Sequence, residues 1–181
     1  MIPEEFVRYV FNERITNIRH LATGKFSTEV LLGFTRHNPV VITCGVAGPN
    51  GSVKGVGFVH GEDFIEETLG KLREELTKAP NPSRALNFLL NEIYVKEKID
   101  FTKLASPELA KKHTWSNLRK GKKEATLLFF TPPSISYEVR CEVEIHSSHP
   151  IWEFVNAVHD VFHRPKEPRD WSKTPAYLFK I

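Results

Sequence analysis

Between residues 137 and 146 the side chains alternate with a period of two. Val139, Cys141, Val143 and Ile145 fall on one side, and Glu138, Arg140, Glu142 and Glu144 on the other. Successive side chains of a strand point to opposite faces, so this pattern commits the segment to a strand with one face on a core. Such a strand needs partners. The nearest candidate is Ala125 to Thr131, whose run Leu127-Leu128-Phe129-Phe130 reads as a strand and which Pro132-Pro133-Ser134 separates from the first.

An earlier hairpin is expected as well: Val40 to Val46 as a buried strand, Gly48-Pro49-Asn50-Gly51 as a turn, and Ser52 to His60 as the returning strand. Helical patterns surround these strands. Pro3-Glu4-Glu5 opens one helix, because proline loses nothing in a first turn and acids favour the positive end of the dipole; Phe6, Val7, Val10 and Phe11 give its buried face. Residues 15–34 break at Gly24-Lys25 and declare no clear state. Asp63 with Glu66 resembles a capping box ahead of Ile65, Leu69, Leu72 and Leu76, up to a break at Pro80-Asn81-Pro82. Ser83 is expected to cap the next helix, with Leu86, Leu89, Leu90, Ile93 and Tyr94 on one face, so that about 63–99 forms an inserted helical hairpin. Ser106-Pro107-Glu108 predicts another helix to about Arg119, stopped at Gly121. Pro150 begins a last helix carrying Trp152, Val155 and Phe162, and Ala176 to Ile181 closes the chain as a strand. This order predicts a single α+β domain over 1–181, a mostly antiparallel barrel or sheet with helices against it.

An apolar fraction of 40% and a charged fraction of 26% in 181 residues are the balance of a chain that folds without metal or disulfide staples. The longest apolar runs, such as Val30-Leu31-Leu32-Gly33-Phe34, fall far short of the roughly 20 residues that cross a bilayer. The start Met1-Ile2-Pro3-Glu4-Glu5 has no export signal, so the cytoplasm is the expected location. Cys44 and Cys141 are expected as small core residues within strands.

Charge is the most distinctive local feature. Residues 111–123 hold Lys111, Lys112, Arg119, Lys120, Lys122 and Lys123 and no acid, while the whole chain is only +3, so the remainder is net acidic. A bound anion would therefore be bound locally; the plainer reading is a solvated basic helix end. His159 and His163 stand four apart, with His146 and His149 near the helix start. Metal ligation needs more ligands than this pair and lacks the HExxH glutamate, so surface or satisfied histidines and no metal are expected. Gly45, Gly48, Gly51, Gly55 and Gly57 cluster at the hairpin, where they serve the turn and let main chain approach a flat ring.

Three pieces together resemble the FMN-binding split barrels of the pyridoxamine-phosphate-oxidase-like and flavin-reductase-like proteins. They are the hairpin from Val40 through Gly51-Ser52-Val53-Lys54-Gly55-Val56, the segment Lys111-Lys112-His113-Thr114-Trp115-Ser116-Asn117-Leu118-Arg119-Lys120, and the ending from Glu138 to Ile181. The resemblance implies a mostly antiparallel split β-barrel, with Lys111, Lys112, Ser116 and Arg119 on the FMN phosphate and Thr43, Cys44 and Lys54 near the ring. It also implies a homodimer with cofactor at the interface, where Trp115, Trp152 or Trp171 would face the partner, and an oxidoreductase whose small-molecule substrate stays open. Two other classes fit the same residues. One is a nucleic-acid-binding module using 111–123 with Trp115 as a stacking surface; the other is a non-catalytic binding subunit.

Overall fold

Seven strands join in one antiparallel sheet of order β2-β1-β5-β6-β7-β4-β3 in the computed structural model, which describes residues 2–25 and 27–181. Met1 of the N-terminal reading and Phe26 of the undecided stretch 15–34 lie outside the described residues. The strands are β1 (Val40–Thr43), β2 (Asn50–Val53), β3 (Gly57–His60), β4 (Ile99–Pro107), β5 (Glu124–Thr131), β6 (Ile135–His146) and β7 (Ala176–Lys180).

The edges β2 and β3 are separated in the chain only by residues 54–56. Four Cα steps span at most ~15 Å, whereas six strand spacings make a flat sheet of this order about 29 Å wide. The sheet therefore curls until its edges approach, and it stays open there, because no ladder among the described residues joins β2 to β3. The expected returning strand, Ser52 to His60, is thus two strands on opposite edges. Lys54-Gly55-Val56 carries the chain across, and the turn between β1 and β2 takes residues 44–49.

The inner face of the curl holds the larger core. Val41, Phe58, Leu104, Leu127, Phe129, Val139, Cys141, Val143, Tyr177 and Phe179 meet there. One end is filled by the N-terminal helix, in which α1 (Glu4–Val7) and α2 (Glu13–Ala22) run on through a π-helical turn, Arg8–Asn12. The wider turn buries three consecutive residues, Tyr9, Val10 and Phe11, which a regular helical face would not do. Phe6 meets Phe129 and Tyr137 edge-on, each at 5.3 Å. From α2 the buried Arg14 reaches the crossover, donating to the carbonyls of Val56 and His37. Part of the undecided stretch becomes α3 (Thr28–Thr35), capped by Ser27.

Among the described residues, helices cover the outer face only over β3, β4 and β7. There α4 (Glu62–Thr77), α5 (Pro82–Phe88) with the π turn Leu89–Ile93, and α7 (Pro150–His163) enclose Val59, Ala105, Ala176 and Leu178. The chief neighbour of α4 is α7, so α4 and α5 are not a closed hairpin; their link includes the Glu75–Arg84 ion pair at 2.8 Å. The caps also differ from expectation. Gly61 precedes α4 without a side-chain cap, and Asn81, not Ser83, caps α5 through the Arg84 amide.

The helix expected from Ser106 is a strand instead: Ser106 and Pro107 pair with Tyr177 and Ala176 at the end of β4, and α6 begins only at His113 and ends at Lys120. No helix among the described residues is long and apolar enough to cross a membrane.

Candidate functional site

The helix α6 docks on the β1–β2 hairpin through polar groups. Asn117, fully buried, accepts from the Ala47 amide at 2.7 Å and donates to the Gly48 carbonyl at 2.8 Å and to Thr43 Oγ1 at 3.2 Å. Thr114 Oγ1 receives Asn50 Nδ2 at 2.8 Å and lies 2.9 Å from Ser52 Oγ. Gly45 lets the two segments approach closely, since a Cβ would lie 3.1 Å from Asn117, and Gly48 turns the chain at φ +77°. One asparagine therefore sets the shape of the glycine-rich turn.

Next to that turn an open groove of about 620 Å³ crosses the outer face of the sheet. Two cross-strand rows build it. Ile42, Thr126 and Arg140 are in register on β1, β5 and β6; one step along, Glu124, Glu142 and Lys180 are in register on β5, β6 and β7, with Cys44 just past the end of β1. The row-forming side chains share the outer face because each stands two residues from the next in a half-buried strand. Its cations are Arg140, strongly exposed and 2.9 Å from Glu138, and Lys180, whose pKa the carboxylate of Glu144 raises. Glu124 and Glu142 have no cation within ion-pair distance among the described residues.

Of the residues singled out in the sequence, Thr43 and Cys44 line this groove. Cys44 is exposed rather than part of the core, because β1 ends at Thr43 and leaves it at the mouth of the turn. Cys141 is buried, and burial pushes its thiol up to about 12.

Lys54 is engaged elsewhere. Its Nζ lies 2.9 Å from Glu108 Oε2, which also accepts from the Tyr177 hydroxyl at 2.7 Å, while Oε1 accepts from the amides of Ala110 and Lys111 at 2.8 and 2.7 Å. Burial alone would raise the pKa of Glu108; the hydrogen bonds from Tyr177, Lys54 and Ala110 outweigh it and hold the carboxyl below its usual range. The Tyr177 phenol is driven the other way by burial and by the adjacent carboxylate. This hub ties the edge crossover to β4, β7 and the approach to α6, where Lys111 is left-handed at φ +48°.

Lys111, Lys112, Ser116 and Arg119 do not line the groove. Lys111 Nζ and the Arg119 guanidinium each lie 5.6 Å from the Trp115 ring centre, so the indole is occupied by its own cations. Lys112, Lys120, Lys122 and Lys123 are exposed, and none of the six cations in 111–123 has a carboxylate within ion-pair distance among the described residues. Trp152 and Trp171 serve the fold: Trp152 Nε1 donates to the Thr174 carbonyl and Trp171 Nε1 to Asp160.

The rings of His159 and His163 lie 4.4 Å apart, with His159 Nδ1 2.9 Å from Asp160. Burial and then the neighbouring His159 lower the pKa of His163. The described residues contain no group of three or more His, Cys, Asp or Glu arranged to hold a metal. Sequence reasoning missed Arg140 and Lys180, because alternating charges on a half-buried strand are the ordinary pattern of a solvated face. Comparison with protein-family models, curated proteins and solved structures gives no match to the chain.

Proposed function

We propose that this chain is a small-ligand binding domain whose groove takes an FMN-like molecule, on a curled sheet read as a split barrel. The observation that carries the reading is the groove itself: its volume of about 620 Å³ is in the ~300–1,000 Å³ range of ligand sites, though it lies open to solvent and would leave one face of a ligand uncovered. It sets the apolar Ile42 and the polar Cys44 and Thr126 beside two cations, Arg140 and Lys180, and two carboxylates, Glu124 and Glu142, while the Thr43 hydroxyl is buried beneath and bonded to Asn117. A planar ring would lie along Ile42 and Thr126 with its edge toward the main chain at Cys44. The phosphate falls to Arg140 and Lys180, in place of Lys111, Lys112, Ser116 and Arg119, which lie outside the cleft; to take it the two cations give up Glu138 and Glu144, and the unpaired Glu124 and Glu142 beside them work against a dianion. A bound flavin would supply the redox chemistry, and the protein would orient and shield it. Among the groove's side chains none is assigned as a catalytic acid or base, so the reading extends to binding, with oxidoreductase activity as its enzymatic form and a non-catalytic subunit as its plain form.

The test is the absorbance spectrum of the purified protein, followed by titration with FMN. A one-to-one complex with flavin bands, weakened in Lys180→Ala, is expected. A colourless protein that leaves FMN unbound refutes the cofactor.

The unpaired cations of 111–123 favour a second reading, contact with a polyanion such as single-stranded nucleic acid. With Trp115 flanked by Lys111 and Arg119, that contact would rest on charge rather than on stacking. Its affinity should then fall steeply with added salt and show little dependence on base identity.

A further inference from the structure

Three connections leave the sheet at one end. Every neighbouring pair of strands is antiparallel, so the β1–β2 turn at 44–49, the link from β4 to α6 at 108–112 and the link from α6 to β5 at 121–123 emerge together. The helix α6 lies across this end. Asn117 holds the turn, Thr114 holds β2, and the Trp115 ring stands 6.5 Å from that of Tyr177 at the start of β7. Around the helix all six cations of 111–123 are exposed, and so are two large aliphatic side chains, Val46 at 64% and Leu109 at 59%. Val46 sits between Gly45, which lies against Asn117 and Gly121, and Ala47, which donates to Asn117. Leu109 belongs to the tight turn that Glu108 closes by accepting from the amides of Ala110 and Lys111. An apolar side chain thus stands beside each end of α6.

We propose that this end of the sheet docks on the surface of an anionic lipid bilayer, with the six cations over the headgroups and Val46 and Leu109 dipped below them. The inference rests on the reading of 111–123 as a polyanion contact and names the polyanion. Three observations favour a bilayer over nucleic acid. Exposed aliphatic side chains offer bases no ring to stack on, whereas the boundary between headgroups and acyl chains buries them. The Trp115 ring, on which a base would stack, already lies between Lys111 and Arg119. None of the six cations lines the groove on the outer face, so a strand gains no channel from it, and a flat anionic surface needs none.

The distribution of charge sets the pose. Outside 111–123 the chain is net acidic, so the surface that attracts this end repels the rest. Glu124, the first acid after the segment, and its cross-strand partner Glu142 line the groove on the outer face. The two loops that carry the aliphatic side chains are already fixed, one by Asn117 and the other by Glu108, so docking has little chain to order. No helix among the described residues is long and apolar enough to cross a membrane, and the contact is therefore peripheral and reversible. It does not depend on a bound flavin.

The experiment is co-sedimentation of the purified chain with large vesicles of phosphatidylcholine carrying about 30% phosphatidylserine, beside vesicles of phosphatidylcholine alone and a titration with oligo(dT). The chain should bind the charged vesicles at low salt, ignore the neutral ones and be released as salt rises. Replacing Lys122 and Lys123 together by alanine should weaken vesicle binding about 25-fold, or about fivefold per cation. Val46→Ser and Leu109→Ser, at positions exposed in the fold, should each weaken it roughly tenfold with an unchanged circular dichroism spectrum. A chain that ignores the charged vesicles and binds oligo(dT) overturns the bilayer and leaves the polyanion reading to nucleic acid; one that binds neither removes both. Vesicle binding that survives the lysine pair, or that both serine variants leave intact, overturns the proposal as well.

Discussion

Replacing Glu108 by glutamine tests whether the buried hub holds the curled sheet together. The carboxylate is 1% exposed and takes four donors: Tyr177, Lys54 and the amides of Ala110 and Lys111. A glutamine keeps one carbonyl oxygen and offers an NH₂ where the other oxygen stood, so two donors lose their acceptor and Lys54 loses its counter-charge. Hydrogen bonds to a charged group are worth ~1.5–3 kcal/mol each, and breaking a buried ion pair costs ~3–5 kcal/mol. Lys54 keeps some solvent access, with 13% of its side chain exposed, which draws the expected loss toward roughly 3 kcal/mol. Urea unfolding at pH 7 should show the midpoint falling by roughly 1–2 M with little change in slope.

The pH dependence supplies a second readout. Because the folded-state pKa of Glu108 is depressed, its contribution is present above the ordinary carboxylate range and is lost as the pH falls through the folded value. The gap between wild type and E108Q should therefore narrow in acid. A loss below ~1 kcal/mol at pH 7, or a gap that widens in acid, would refute the idea that this carboxylate ties the crossover to β4 and β7.

Two further outcomes are expected. A thiol reagent should modify Cys44 in the native protein and reach Cys141 only after unfolding, since Cys44 is exposed while burial pushes Cys141 up to about 12; two fast thiols in the folded state would contradict this placement. Burial, with Arg14 and Arg36 nearby, pushes His37 down to about 3, so its ring should show no NMR titration between about pH 5 and 8. The stability it contributes should be complete above the ordinary imidazole value and decline as the pH drops from ~6.5 toward the folded one.

Where periodicity was sharp, the residues announced their structure. The alternation in β6 gives Val139, Cys141 and Val143 buried and Glu138, Arg140 and Glu142 exposed, and Pro150 does open α7. β4 stayed hidden because the alternation of Ile99-Asp100-Phe101-Thr102 slips phase at Lys103-Leu104, where the pairing with β3 shifts register, and Ser106-Pro107-Glu108 imitates a helix start. In the fold, Pro107 gives up only an amide at a strand end, and Glu108 faces inward to collect donors. The split between β2 and β3 is not local information either: which edge receives Phe58 is decided by its pairing with Leu104, far along the chain. The groove was half legible. Thr43 and Cys44 follow a readable hairpin, whereas Arg140 and Lys180 join them only through strand registers that no local pattern encodes.

The three-residue hook between the sheet's margins also bears on how the chain reaches this shape. Local hairpins β1–β2 and β5–β6 are free to zip early, yet Val40 must find Leu128 and Leu104 must find Phe179 before either margin is anchored. Such distant pairings carry a heavy loop-closure cost, which places this chain among slow folders for its length. Gly55, between the margins, then belongs to the last piece to settle, since Lys54 and Val56 on either side are fixed only once Glu108 and Arg14 have arrived to hold them.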